Sequence, residues 1–123
     1  MNRVIGILVN AAALWVAVQI VPGLDFSGEI WKLLVVAIIF GLINAFIKPI
    51  LVIFSLPITV MTLGLFLLVI NALLLMLTGW ISGQLDLGFT VADFWAALLG
   101  SIVISLAGMV LSFVVSRLSG RDL

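Results

Sequence analysis

A chain of 123 residues that is 66% hydrophobic and only 8% charged, with a mean hydropathy of +1.54, carries more apolar surface than a small water-soluble globule can cover. Its five basic and five acidic residues cancel, leaving no polybasic footprint for nucleic acid. The absence of Cys excludes disulfides and thiolate chemistry, and the absence of His removes the usual proton shuttle and the commonest metal ligand. The class to expect is an all-α integral membrane protein, a single transmembrane domain over residues 1–123, with no catalytic, cofactor or metal site.

Residues 4–21 form an uncharged run of 18, about 27 Å long as a helix, which reaches across a hydrocarbon core of roughly 30 Å. A cleaved signal peptide is the competing reading. It is disfavoured because the run resembles the interior segment around Asn71, which cannot be a leader. Pro22, Gly23, Asp25, Ser27 and Gly28 then supply turn chemistry. The second span, residues 31–47, is entered through an interfacial tryptophan, Trp31, and closes at Lys48–Pro49. Residues 48–57, bracketed by Pro49 and Pro57, are too short to cross and read as an interfacial connector between antiparallel helices. The alternative for that connector is a broken helix lining a polar cavity. The third span is expected over residues 58–80, with Gly64 as a site of close backbone approach, and the fourth over 94–116.

Arg3, Lys48, Arg117 and Arg121 fall on one side of this four-helix arrangement, and Asp25, Glu29, Asp86 and Asp93 on the other. Lys32 and Asp122 are the exceptions. Because basic residues set orientation, the pattern predicts a multi-pass membrane protein with both termini cytoplasmic.

The chain also reads as two tandem, parallel helix-hairpin repeats. Laying residues 7–28 against 68–89 makes Asn10/Asn71, Ala11/Ala72, Leu14/Leu75, Ile20/Ile81, Leu24/Leu85 and Asp25/Asp86 identical. After a slip of three residues, Glu29/Asp93, Trp31/Trp95 and Leu34/Leu98 align as well. Asn and Asp are scarce here, so their coincidence weighs more than that of Leu or Ile.

Polar residues inside the spans nominate packing faces or pathways, because hydrocarbon offers them no partner. Ala97, Ser101, Ser105, Gly108, Ser112 and Ser116 recur at helical spacing and predict a small, hydroxyl-rich face along span four for close helix packing. Asn10, Asn44 and Asn71 are the strongest intramembrane donors, expected to cross-link helices, and Lys48 shares a face with Asn44 as a snorkelling charge.

Residues 41–75, GLINAFIKPILVIFSLPITVMTLGLFLLVINALLL, carry Asn44, Lys48, Pro49, Pro57, Thr59, Thr62, Gly64, Leu65, Phe66 and Asn71. This stretch resembles the central motif of the mycobacterial-type phage holin superfamily IV, a four-span bacterial membrane family that includes YvlD-like proteins. The resemblance implies a holin-like architecture in the bacterial plasma membrane and brings no catalytic or ligand residues with it. The expected partners are the lipid bilayer and a second copy or another membrane protein. The function expected is action by helix packing, self-association or partner binding. The alternatives are an oligomeric lytic pore, lined by the serines and asparagines, and an accessory structural subunit of a larger membrane complex.

Overall fold

The computed structural model describes residues 3–119. Arg121 and Asp122, two of the charges used to orient the chain, lie outside the described residues. In chain order the elements are α1 (Arg3–Ile20), β1 (Leu24–Phe26), α2 (Ile30–Phe46), α3 (Lys48–Phe54), α4 (Leu56–Met61), α5 (Phe66–Gln84), β2 (Phe89–Val91) and α6 (Phe94–Ser119). Three helical stretches are long and apolar enough to cross a membrane, Ile30–Phe54, Phe66–Gln84 and Phe94–Leu118, and Val4–Ile20 is a shorter apolar helix. Helix α1 packs against α2 and α6, and α5 packs against the same two, so the long helices form a ring in the order α1, α2, α5, α6. The core runs down its middle through Leu14, Ala17, Leu24, Val36, Leu75, Phe89 and Ala96.

Two expectations are corrected at the connector. Lys48–Pro49 does not end the second membrane helix. Ile47 stays in the right-handed helical region, its amide donates to the Ile43 carbonyl at 2.8 Å, and the Leu51 amide donates to Ile47 at 3.2 Å. Pro49 stands in the first turn of α3, where a missing amide donor costs least, so the apolar helix continues to Phe54. The third membrane helix begins at Phe66, not at residue 58. Helix α4 is stopped by a Schellman end: Leu63 turns left-handed at φ +57°, the Gly64 amide reaches the Thr59 carbonyl, and the Leu63 amide reaches Val60. The Thr62 hydroxyl then accepts from the Phe66 amide at 3.1 Å and starts α5. Gly64 itself sits at φ +88° with no atom within 4 Å of an added Cβ, so it serves the turn and not a close approach.

The fold is also not purely helical. The two turns at one end of the bundle pair as antiparallel strands, Leu24 with Val91, Asp25 with Thr90 and Phe26 with Phe89. Backbone that leaves a helix at the edge of hydrocarbon needs other partners, and each turn supplies them to the other. The ladder is extended by the Ser27 amide on the Gly88 carbonyl, 3.0 Å, and the Ala92 amide on Gly23, 2.8 Å. Buried Ser82 ties the pair to α5, its hydroxyl accepting from the Phe89 amide at 3.0 Å. Gly100 leaves the space into which Leu24 inserts: a Cβ there would overlap Leu24 and lie 3.1 Å from Leu75 Cδ2.

Asp25 and Asp86, matched in the sequence, have different local roles. Asp25 is the central residue of β1, whereas Asp86 takes the left-handed position, φ +56°, that closes the Schellman end of α5. Helix α5 runs to Gln84, so its strand starts later, and the strand positions that correspond by burial are Leu24 with Phe89 and Phe26 with Val91. Asp93 caps α6 through a 2.8 Å bond from the Ala96 amide, whereas Glu29 makes no such cap and accepts instead from the Trp31 indole.

Candidate functional site

Four polar residues from four different elements come together. Asn10 of α1, Asn44 near the end of α2, Lys48 opening α3 and Asn71 near the start of α5 line one cavity of about 210 Å³, completed by Phe40 of α2 and by Ser101, Ile104, Ser105 and Gly108 of α6. Asn44 and Lys48 share a face because they are one helical turn apart. The cavity lies in the half of the bundle remote from the strands.

The three amides are half-buried, and among the described residues none is hydrogen-bonded to another protein group. They do not cross-link helices as expected; they face a common space that is large enough for several waters or one small polar group. Lys48 is half-buried and, among the described residues, is the one charged residue in the lining, with no carboxylate beside it. The described acids, Asp25, Glu29, Asp86 and Asp93, are exposed on or beside the strands, at the opposite end.

Toward the strands the cavity is closed. Leu14, Phe40, Leu75 and Ile104 are buried, and each lies one turn on the strand side of Asn10, Asn44, Asn71 and Gly108 respectively. These four make a roof that composition alone could not distinguish from lipid-facing side chains. The available clue was their spacing of four from each polar position.

The small-residue face of α6 divides into parts. Ala97 and Ser101 are buried against the bundle, and the Ser101 hydroxyl returns to the Leu98 carbonyl of its own helix at 2.9 Å. Ser105 is exposed at the cavity edge, and an added Cβ on Gly108 would meet nothing within 4 Å. The close approach expected at Gly108 is therefore not made among the described residues, because the cavity occupies that level of the bundle. Ser112 and Ser116 lie beyond it and are half-buried. Pro49 and Pro57 are exposed in the first turns of α3 and α4, outside the cavity.

Beside the cavity a second recess of about 510 Å³ separates α1 from α2, lined by Gly6, Ile7, Ala37, Ile38, Gly41, Leu42, Ala45 and Phe46, with Asn10 common to both. Gly41 makes the junction: a Cβ there would lie 3.5 Å from the Asn10 amide nitrogen.

The family model described as mycobacterial 4 TMS phage holin, superfamily IV, matches residues 1–110. The chain belongs to that family. It is a membrane protein of holin-like type, and no enzyme family is indicated. An uncharacterized protein of Streptomyces coelicolor, SCO3922, is 40% identical over 116 residues, covering 90% of this chain and 93% of the relative. The uncharacterized membrane protein YvlD of Bacillus subtilis is 40% identical over 101 residues, covering 82% of each chain. No solved structure matches this chain.

Proposed function

We propose that this chain is a resident of the bacterial cytoplasmic membrane, both termini cytoplasmic, that acts by holding a partner group within the membrane, without catalysis and without conduction through a single copy. The observation that carries this reading is the one-sided shape of the polar cavity. A path for water or ions needs a polar lining from one face to the other. Here the roof of Leu14, Phe40, Leu75 and Ile104, with buried Leu24 and Phe89 beyond it, offers none. Orientation is supported by Arg3, Lys48 and Arg117 standing at the end of the bundle away from the strands, and by the acids at the strand end.

Two tandem repeats about a two-fold axis along the membrane normal are supported by the same cavity. Its lining contains Asn10 with Asn71, spaced as in the first alignment, and carrying the slipped alignment forward pairs Phe40 with Ile104 and Asn44 with Gly108. The two strands, antiparallel to one another and alike in burial, lie where such an axis would leave the bundle.

The rival reading, a pore built from several copies, draws on exposed Ser105 and on Asn10 at the α1–α2 recess. Purified protein reconstituted into dye-loaded vesicles tests the two. Binding without conduction predicts retention of the dye as protein density rises, and release that grows steeply with density would overturn it. An accessory role in a larger complex would instead be recognised by copurification with one stoichiometric membrane protein.

A further inference from the structure

We infer that the cavity and the adjoining recess together bind one anionic phospholipid, the phosphate headgroup beside Lys48 and an acyl chain along the α1–α2 recess. The inference rests on the binding reading above and names its ligand. Lys48 is held among neutral groups at the edge of hydrocarbon, where a cation gains from an anionic partner, and none comes to it from the described residues. Basic pockets between membrane helices on the cytoplasmic side are suited to anionic lipid headgroups. The Asn side chains and the Ser105 hydroxyl around Lys48 add amide and hydroxyl donors for phosphate oxygens, and the amide carbonyls remain free to accept from a hydroxylated headgroup.

The recess argues for a lipid over a free anion. It meets the polar cavity at Asn10, and apart from Asn10 its walls are apolar or glycine. A molecule whose charged end lies in one space and whose hydrocarbon lies in the other matches both linings at once. Gly41 keeps the junction open: a Cβ there would already stand in van der Waals contact with the Asn10 amide, so a side chain longer than alanine would fill the passage.

Native mass spectrometry of the full chain in detergent tests the inference, with phosphatidylglycerol, phosphatidylcholine and inorganic phosphate as separate probes. Phosphatidylcholine brings a quaternary ammonium to a site that already holds a cation, so one phosphatidylglycerol should be retained about tenfold more strongly. Lys48→Gln should abolish that preference and Lys48→Arg should keep it. Lys32→Gln, at the strand end, should leave it unchanged. Gly41→Leu should weaken both lipids by closing the junction, which separates the recess from the headgroup site. Circular dichroism and thermal melting of each variant verify that it is folded.

Equal retention of the two lipids would overturn the inference, as would an unaltered preference in folded Lys48→Gln. Displacement of phosphatidylglycerol by millimolar inorganic phosphate would reassign the site to a free anion, and a lipid-free dimer would give the recess to a second copy. A protein that holds dye in vesicles yet fails these tests loses the lipid and keeps the binding reading. One that releases dye loses the binding reading first.

Discussion

Gly88→Ala is a direct test of the junction between the two turns. The glycine sits at φ +86°, and a methyl group there would overlap the Ser27 carbonyl oxygen and lie 3.0 Å from its carbon. Left-handed backbone costs a residue with a Cβ about 1–2 kcal/mol. The overlap is with main chain, so no side-chain rotation relieves it; the strands must part and the 3.0 Å bond from the Ser27 amide to the Gly88 carbonyl is lost. That bond adds about 0.5–1.5 kcal/mol, for a total of about 1.5–3.5 kcal/mol. Gly83→Ala is the matched control. It adds the same methyl group to the last turns of α5, where no atom lies within 4 Å, and should stabilise by roughly 0.5–1 kcal/mol through helix propensity. Equilibrium unfolding of both variants in mixed micelles should give shifts of opposite sign. Shifts of the same sign and size would refute the geometry of the strand pair.

Gly108→Leu should leave folding stability within about 1 kcal/mol of the parent, since the side chain enters open space, and should abolish phosphatidylglycerol retention by filling the cavity. A collapse in thermal stability would mean that the helices close at that level. Leu75→Ala removes a fully buried roof side chain and should cost about 2–5 kcal/mol by micelle unfolding; a cost under 1 kcal/mol would place that side chain in lipid. Asp93→Ala should cost about 1 kcal/mol through loss of the Ala96 cap, and Glu29→Ala clearly less, so equal losses would contradict the capping difference. Reporters fused after Leu123 should signal cytoplasm, and reporters inserted at Ser27 or Leu87 the outer side; a terminus outside would reverse the charge argument.

The apolar runs sufficed to predict a membrane protein of long helices, because in hydrocarbon each backbone amide must find its partner within its own segment. Helix α6 and most of α1, α2 and α5 could be read this way. So could the residue types worth watching, since Asn10, Asn44, Lys48 and Asn71 stand out against their surroundings. Hydropathy failed between Lys48 and Phe66, where helix and turn are equally greasy and the outcome was decided by one left-handed residue, Leu63, and by threonine hydroxyls. It also missed the strands, because pairing Leu24 with Val91 joins segments far apart in the chain and each is too short to announce itself. Whether an asparagine bridges two helices or faces a shared space is not a property of its own helix. It depends on how far neighbouring backbones stand apart, and Gly108 lies beside a cavity only because all the long helices are held at that distance by Leu14, Phe40, Leu75 and Ile104. Packing of side chains remote in sequence set that distance, so only the tertiary structure could decide it.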